Sequence, residues 1–224
     1  MHKLICIEFH CHTYASPDSL TSPLALIEAA RRKGIDRLVV TDHNTIAGAL
    51  EAHRLAPELV IIGEEILTSR GELLAAFVTE EIPPGLTPQE TIERLRAQHA
   101  FISVSHPFDT MRKGGWALED LLEIAPLIDA IEIFNSRCLS PKFNLLAQAF
   151  AQEHHLPGTV GSDAHTCWEL GLSRMFVASF SGADELRQVI RQAHFEVKYA
   201  SPLVHLASRY ASLRNKGRGK HDFD

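Results

Sequence analysis

"LICIEFHCHTYAS", residues 4–16, begins as a buried strand and ends in polar side chains that an ordinary buried strand does not carry. Side chains in a strand alternate between faces, so Glu8, His10 and His12 are expected on one side and Ile5, Ile7, Phe9 and Cys11 on the other. With 13 histidines in 224 residues, about 0.75 His-x-His pairs arise by chance, so the pair alone is a weak motif. A solvated strand end explains it equally well, and the rest of the chain has to decide.

Working outward, "SPLALIEAARRKG" follows with Ser22 as a cap, Pro23 in the first turn and Gly34 at the end of a helix, and "IDRLVVTDH" reads as the next buried strand. The same grammar repeats through a helix in "TIAGALEAHRLA", a strand "LVIIGEEI", a hairpin partner "GELLAAFVTE" and a helix over 87–98 behind a capping-box pattern. It continues with "FISVSHP" (strand), "ALEDLLEIAPL" (helix), "AIEIFNS" (strand), "KFNLLAQAFAQEHHL" (helix), "GTVGSDAH" and "RMFVASF" (strands) and "GADELRQVIRQAHFE" (helix). Alternating strand and helix argue for a parallel sheet with helical crossovers, and about seven units favour a closed barrel. An open doubly wound sheet fits less well, because no Gly-x-Gly-x-x-Gly turn follows the first strand.

The length and the 45% hydrophobic content suit one domain with one buried core. A net charge of −6 gives no overall footprint for nucleic acid. Residues 206–224, with Arg209, Arg214, Lys216, Arg218 and Lys220, are expected to form a basic, disordered, solubilising tail, an anionic partner being the alternative. Cys6, Cys11, Cys138 and Cys167 show no paired spacing and are expected as reduced thiols. Neither a signal segment nor an apolar run near ~18 residues is evident, so a cytoplasmic location without membrane contact is expected.

In parallel α/β folds the carboxyl ends of the strands converge on one face, where sites are built. Those ends carry His10 and His12, then Asp42 and His43, Glu64 and Glu65, His106, Glu132 and Asn135, and Asp163 and His165. So many carboxylates and imidazoles in one barrel mouth repel or waste hydrogen bonds unless cations hold them, which argues for a cluster of zinc, manganese or iron on mixed nitrogen and oxygen donors.

Four motifs in order, "HCHT" at 10–13, "TDH" at 41–43, "SHP" at 105–107 and "GSDAH" at 161–165, with Gly63 to Glu65 as a Gly-x-Glu element, resemble the polymerase and histidinol phosphatase (PHP) family over almost the whole chain. The resemblance implies a distorted (β/α)7 TIM-like barrel over residues 1–205 and two or three divalent metal ions that hydrolyse phosphate esters. It makes His10, His12 and Asp163 ligands of one metal, with Glu65 bridging to a second that also takes His106, and Asp18, His43 and His165 forming the third position. Asp18 stands where some relatives have histidine, and "AIEIFN" lacks a histidine that others place there, which leaves the remaining ligands of the second metal open. Glu8 replaces the usual aspartate and is expected, with Asp42 and Asn135, to orient ligands from behind, entry of the longer side chain into the cluster being the alternative. Glu64 faces away from Glu65 and is not expected to bind metal.

Two metals about 3.5–4 Å apart generate hydroxide near neutral pH and stabilise both oxygens of an in-line displacement, so no protein nucleophile is required. His43 or His165 could protonate the leaving alkoxide if either is left partly free of metal, and Asp163 is counted with them among the catalytic residues. Arg137 and Arg174 are candidate phosphate clamps, ahead of Arg112 and Lys142. His53, His99, His154, His155, His194 and His205 are expected in solvated or core roles. The expected activity is a phosphomonoesterase on small phosphorylated metabolites or nucleotides, through a mouth walled by loops 13–21, 107–117 and 136–142. A 5'-3' exonuclease-type phosphodiesterase, a non-catalytic metal-binding module and an amidohydrolase-like enzyme are the alternatives. Nucleic acid is a less favoured partner than a small substrate, and the sequence leaves the oligomeric state open.

Overall fold

Short apolar runs too brief to be helices build the sheet, and amphipathic segments between them build its cover. A computed structural model describes residues 4–112 and 114–218, with 217 and 218 described by backbone alone. In chain order the elements are β1 (Leu4–Cys11), α1 (Pro23–Arg32), β2 (Arg37–Val40), α2 (Ala47–Leu55), β3 (Val60–Leu67), β4 (Glu72–Ala76), α3 (Pro88–Ala97) and β5 (Phe101–Val104). They continue with α4 (Leu118–Ile124), β6 (Ala130–Asn135), α5 (Pro141–Glu153), β7 (Gly158–Gly161), β8 (Arg174–Ala178), α6 (Ala183–Val189), β9 (His194–Glu196) and α7 (Val204–Arg218). Local chemistry sets several starts: the Ser22 side chain caps α1, and Thr87 and Glu90 close a reciprocal capping box on α3.

The strands lie in the order β7-β6-β5-β4-β3-β2-β1-β8-β9. Pairs β1/β2, β2/β3, β5/β6 and β6/β7 are parallel, whereas β4 runs antiparallel to both β3 and β5. β1 through β7 curl into a nearly closed barrel of seven strands, the architecture that the strand and helix alternation implies. Closure is shared along β1. Its first half pairs antiparallel with β8, and its end meets the segment after β7, where Cys11 bridges Ala164 and His12 N–H donates to the Ala164 carbonyl at 2.8 Å.

Below the mouth, Ile7, Phe9, Val39, Leu74, Phe101 and Val160 fill the barrel, and Leu186 and Ile190 join them. The Phe9 and Phe101 rings meet edge to face at 5.6 Å. α1 and α2 cover one flank with Leu26, Ile27 and Ala52, and Ile92, Leu95, Leu121 and Phe150 belong to the layer on the other. Between Glu65 and His106 stand only β4, α3 and β5 with their turns, so no lid domain is inserted there.

Strict alternation along β1 fails at one point. The ladder to β2 slips between Glu8 and Cys11, a bulge that sends one extra residue into β1 and exchanges its faces. Cys6 and Cys11, an odd number of residues apart, therefore share the helix-side cluster, while Ile7 and Phe9 point into the barrel. Glu8 thus does not share a side with His10 and His12.

Two other expectations are corrected. The helix expected over "GADELRQVIRQAHFE" stops at Val189, and His194–Glu196 becomes β9 because the open edge of β8 supplies backbone partners. The basic tail expected to be disordered from residue 206 is helical through Arg218. It is held because Ser208 and Ala211 are buried against the barrel rim and Asn215 donates to the Pro17 carbonyl at 2.9 Å. Residues 219–224, including Lys220, lie outside the described residues. Among the described residues no helix is long and apolar enough to cross a membrane.

Gly63 shows why the third strand needs glycine ahead of Glu65. A Cβ there would stand 2.6 Å from the Ala75 carbonyl oxygen and 2.9 Å from that of Val40, both backbone of flanking strands. Gly63→Ala is expected to lower unfolding free energy by about 1–3 kcal/mol in urea titrations, as overpacking does. A variant as stable as the parent would show that β2 and β4 do not crowd β3.

Candidate metal centre

Strand ends deliver the donors to one volume. His10 Nε2 lies 3.3 Å from Glu65 Oε2 and 3.7 Å from Asp163 Oδ1, and His12 Nε2 lies 3.5 and 3.3 Å from the same two oxygens. Donors bound about 2.0–2.2 Å from one ion stand roughly 2.8–3.6 Å apart at octahedral or tetrahedral angles. Nearby, His106 Nε2 is 3.2 Å from Glu65 Oε1 and 3.5 Å from Glu72 Oε2. On the other side, Asp18 faces His43 Nε2 at 3.5 Å and His165 Nε2 at 3.0 Å. Glu65 thus lies between the groups, and Ser105 Oγ donates to its Oε1 at 2.6 Å.

The hydrogen bonds behind the rings set their tautomers. Glu132 Oε1 lies 3.0 Å from His10 Nδ1, a carboxylate that can only accept, so the proton sits on Nδ1 and the Nε2 lone pair turns inward. Ser16 Oγ donates to Asp42 at 2.7 Å and so accepts from His12 Nδ1 at 3.1 Å, while the His165 Nδ1–H points at the Asp163 carbonyl at 2.8 Å. Asn135 donates to both Glu132 and Asp163, and Thr13 donates twice to Asp42. Gly161 leaves room for this arrangement, since a Cβ there would stand 2.4 Å from His10 Cβ and 2.5 Å from Glu132 Oε1. Asp163 and His106 adopt positive φ, 52° and 21°, local strain that the surrounding fold sustains where a donor must be aimed.

The donor set fits divalent metal ions. His10 Nε2, His12 Nε2, His165 Nε2, Asp18 Oδ1 and Glu65 Oε2 are buried with no hydrogen-bond partner among the described residues, a costly arrangement for atoms facing only one another. Burial, with His165 and His43 nearby, lowers the His12 pKa to about 3, leaving the neutral ring that coordination requires. Burial and the Glu65 carboxylate push Glu72 up to about 7, against the opposing pull of His106, His43 and Arg112. None of the four cysteines belongs to these donor groups, which suits borderline metals on imidazole and carboxylate.

The anchoring residues differ in part from expectation. Glu8, on the far face after the bulge, touches no imidazole; it accepts from Ser162 N at 3.0 Å, Gly171 N at 2.8 Å and the Ser162 hydroxyl, and Glu132 orients His10 instead. Arg174 points away from the mouth and pairs with Glu196 while approaching the Lys33 carbonyl, because Met175 and Val177 take the barrel side of β8 and leave Arg174 on its outer face. Arg137 lines the mouth, as does Arg112, which pairs with Asp163 and Asp109. Burial raises the Asp163 carboxyl, but Arg112 and His10 outweigh it and hold the group well below the usual range. His205, expected in a solvated or core role, also lines the mouth. Glu72 carries no signal in a single sequence beyond opening a hairpin strand, and only the antiparallel direction of β4 brings its carboxylate to the metal face.

The PHP domain pattern matches residues 8–114, and the PHP-associated pattern matches 141–194. Uncharacterized protein MJ1587 of Methanocaldococcus jannaschii is 37% identical over 142 residues, covering 58% of this chain and 81% of that protein. A 5'-3' exoribonuclease of Haemophilus influenzae is 42% identical over 86 residues, 36% of this chain and 31% of that protein. The crystal structure of PsfC from Pseudomonas syringae PB-5123 superposes with a TM-score of 0.68 at 19% identity, covering 95% of this chain and 99% of that one. The chain belongs to the PHP domain family, whose class is that of hydrolases acting on phosphate esters.

Glu72→Gln is expected to remove one equivalent of tightly held metal, measured by elemental analysis after dialysis, while the ion on His10, His12 and Asp163 stays bound. Unchanged stoichiometry and affinity would exclude Glu72 from the centre.

Proposed function

We propose that this chain is a phosphomonoesterase for small phosphorylated metabolites or nucleotides, working with two or three zinc, manganese or iron ions. One observation carries the reading. A cavity of about 270 Å³ has the metal donors Asp18, His43, His106, Asp163 and His165 on one side and Arg112 and Arg137 beside them. That volume suits a phosphate with a small organic group and lies just under the usual range for larger ligands.

When bound, the ions supply hydroxide near neutral pH and charge stabilisation at both transferring oxygens. Arg137 grips a free phosphate oxygen, and Arg112 offers a second cation once the metals share the Asp163 charge. His43 is the most solvent-accessible imidazole of the donor set, its side chain 23% exposed, and is assigned the proton delivery to the leaving alkoxide. Its Nδ1 faces Glu65 at 3.0 Å, which holds the ring, and Nε2 delivers the proton when it is left free of metal. Asp163 keeps its charge and fixes the ligand geometry. A second reading, removal of nucleotides from the 5' end of an oligonucleotide, is supported by the 86-residue likeness to the exoribonuclease.

The test is kcat/KM across nucleotides, sugar phosphates, histidinol phosphate and short oligonucleotides, after loading with manganese, iron or zinc. Terminal monoesters are expected to lead, with discrimination among them below about 10⁴ because few polar groups face the leaving group. Asp163→Asn is expected to cut kcat by about 10² or more with the melting temperature retained. Oligonucleotides as the best substrates would install the exonuclease reading, and no release from any compound would leave a metal-binding module without catalysis.

A further inference from the structure

The matched patterns end at residue 194, and α7 begins at Val204. The inner face of α7 nevertheless belongs to the pocket. His205 and Ser208 line it, Ala211 is buried, and the Asn215 amide donates to the carbonyls of Pro17 and Ser19, the residues flanking Asp18. The approach to α7 is tied at its other end, where Ala200 N donates to the Ser136 carbonyl at 2.8 Å and the Tyr199 ring lies 4.8 Å from that of Phe134. The helix therefore runs across the mouth from the Arg137 loop to the Asp18 loop.

Ser208 Oγ accepts from Arg137 Nη2 at 2.7 Å, Arg137 Nε faces Glu169 Oε1 at 3.3 Å, and Nη1 rests against the His165 ring. An arginine held by Ser208 and Glu169 and packed against the His165 ring has lost rotamer freedom before a phosphate arrives. Met111, Leu139 and His205 give the pocket a less charged part beside the metal donors.

We propose that α7 is a specificity wall: Ser208 positions Arg137 for the substrate phosphate, and His205 bounds the space left for the organic group. The inference rests on the phosphomonoesterase reading for the nature of that group. A monoester fits with its phosphate toward Arg137 and a small, uncharged group between Met111, Leu139 and His205. A diester continuing from both sides of the phosphate meets the helix.

The test uses the metal-loaded full chain with Ser208→Ala, Ser208→Thr and His205→Ala. Calorimetric binding of inorganic phosphate is expected to weaken about tenfold in Ser208→Ala and to recover in Ser208→Thr, with metal content and melting temperature as in the parent. On monoesters, Ser208→Ala is expected to raise KM by about tenfold with kcat within roughly threefold, and His205→Ala to raise kcat/KM for bulky esters relative to methyl phosphate by at least about threefold. Unchanged phosphate affinity in Ser208→Ala, or a size preference untouched by His205→Ala, overturns the wall. So does loss of metal or melting temperature that threonine fails to restore, since Ser208 would then serve the fold. The calorimetry needs no turnover. A parent that binds phosphate through Ser208 and Arg137 but hydrolyses no monoester removes the phosphomonoesterase reading and leaves the positioning of Arg137 standing, and a parent that binds no phosphate removes both.

Discussion

The amide of His12 donates to the carbonyl of Ala164, and the amide of Ala164 donates back to the carbonyl of His10, and through this pair of backbone bonds the seventh strand is fastened to the first. Every donor group depends on that seam. It sets "HCH" and "DAH" side by side, so that residues about 150 positions apart present their donors to a common point, and it leaves the lower half of β1 to pair with β8. The buried imidazoles repel one another and the buried carboxylates do likewise, so the interior of the mouth is unfavourable by itself. Backbone hydrogen bonds and a packed barrel floor hold it in place, and cations relieve it.

Much of this was legible because strand-end chemistry is written locally. An apolar run followed by His, Asp or Glu states both where a strand stops and what it offers, and the carboxyl-end convergence of parallel strands supplies the missing third dimension. His10, His12, Glu65, His106, Asp163 and His165 are legible in this way, and Asp18 and His43 join them through the motifs.

What escaped the sequence was set by direction, register and surface. A bulge is a slip in pairing between two strands and leaves no trace in one of them, so Glu8 was assigned to the wrong face. Side-chain alternation along β8 turned Arg174 outward, since Met175 and Val177 take the barrel side, and strand polarity concealed Glu72, since the antiparallel β4 brings its beginning, rather than its end, to the mouth. In α7 the usual pattern is inverted: Leu203, just before it, and Leu206, Tyr210 and Leu213 are exposed, while Ser208 and Ala211 are buried. A reading that seeks the apolar stripe as the buried side looks at the wrong face of that helix.

The seam between the first and last barrel strands also orders events in time. In a chain emerging from synthesis, "HCH" precedes Ala164 and the β8 residues that complete the edges of β1 by about 150 positions or more. Contacts of such long sequence separation form late, because closing the loop between them is entropically expensive. Until then the early histidines have no Asp163 beside them and form only part of a chelate. An ion held by His10, His12 and Asp163 would bind the closed chain in preference to the open one and so act as a clasp on the barrel.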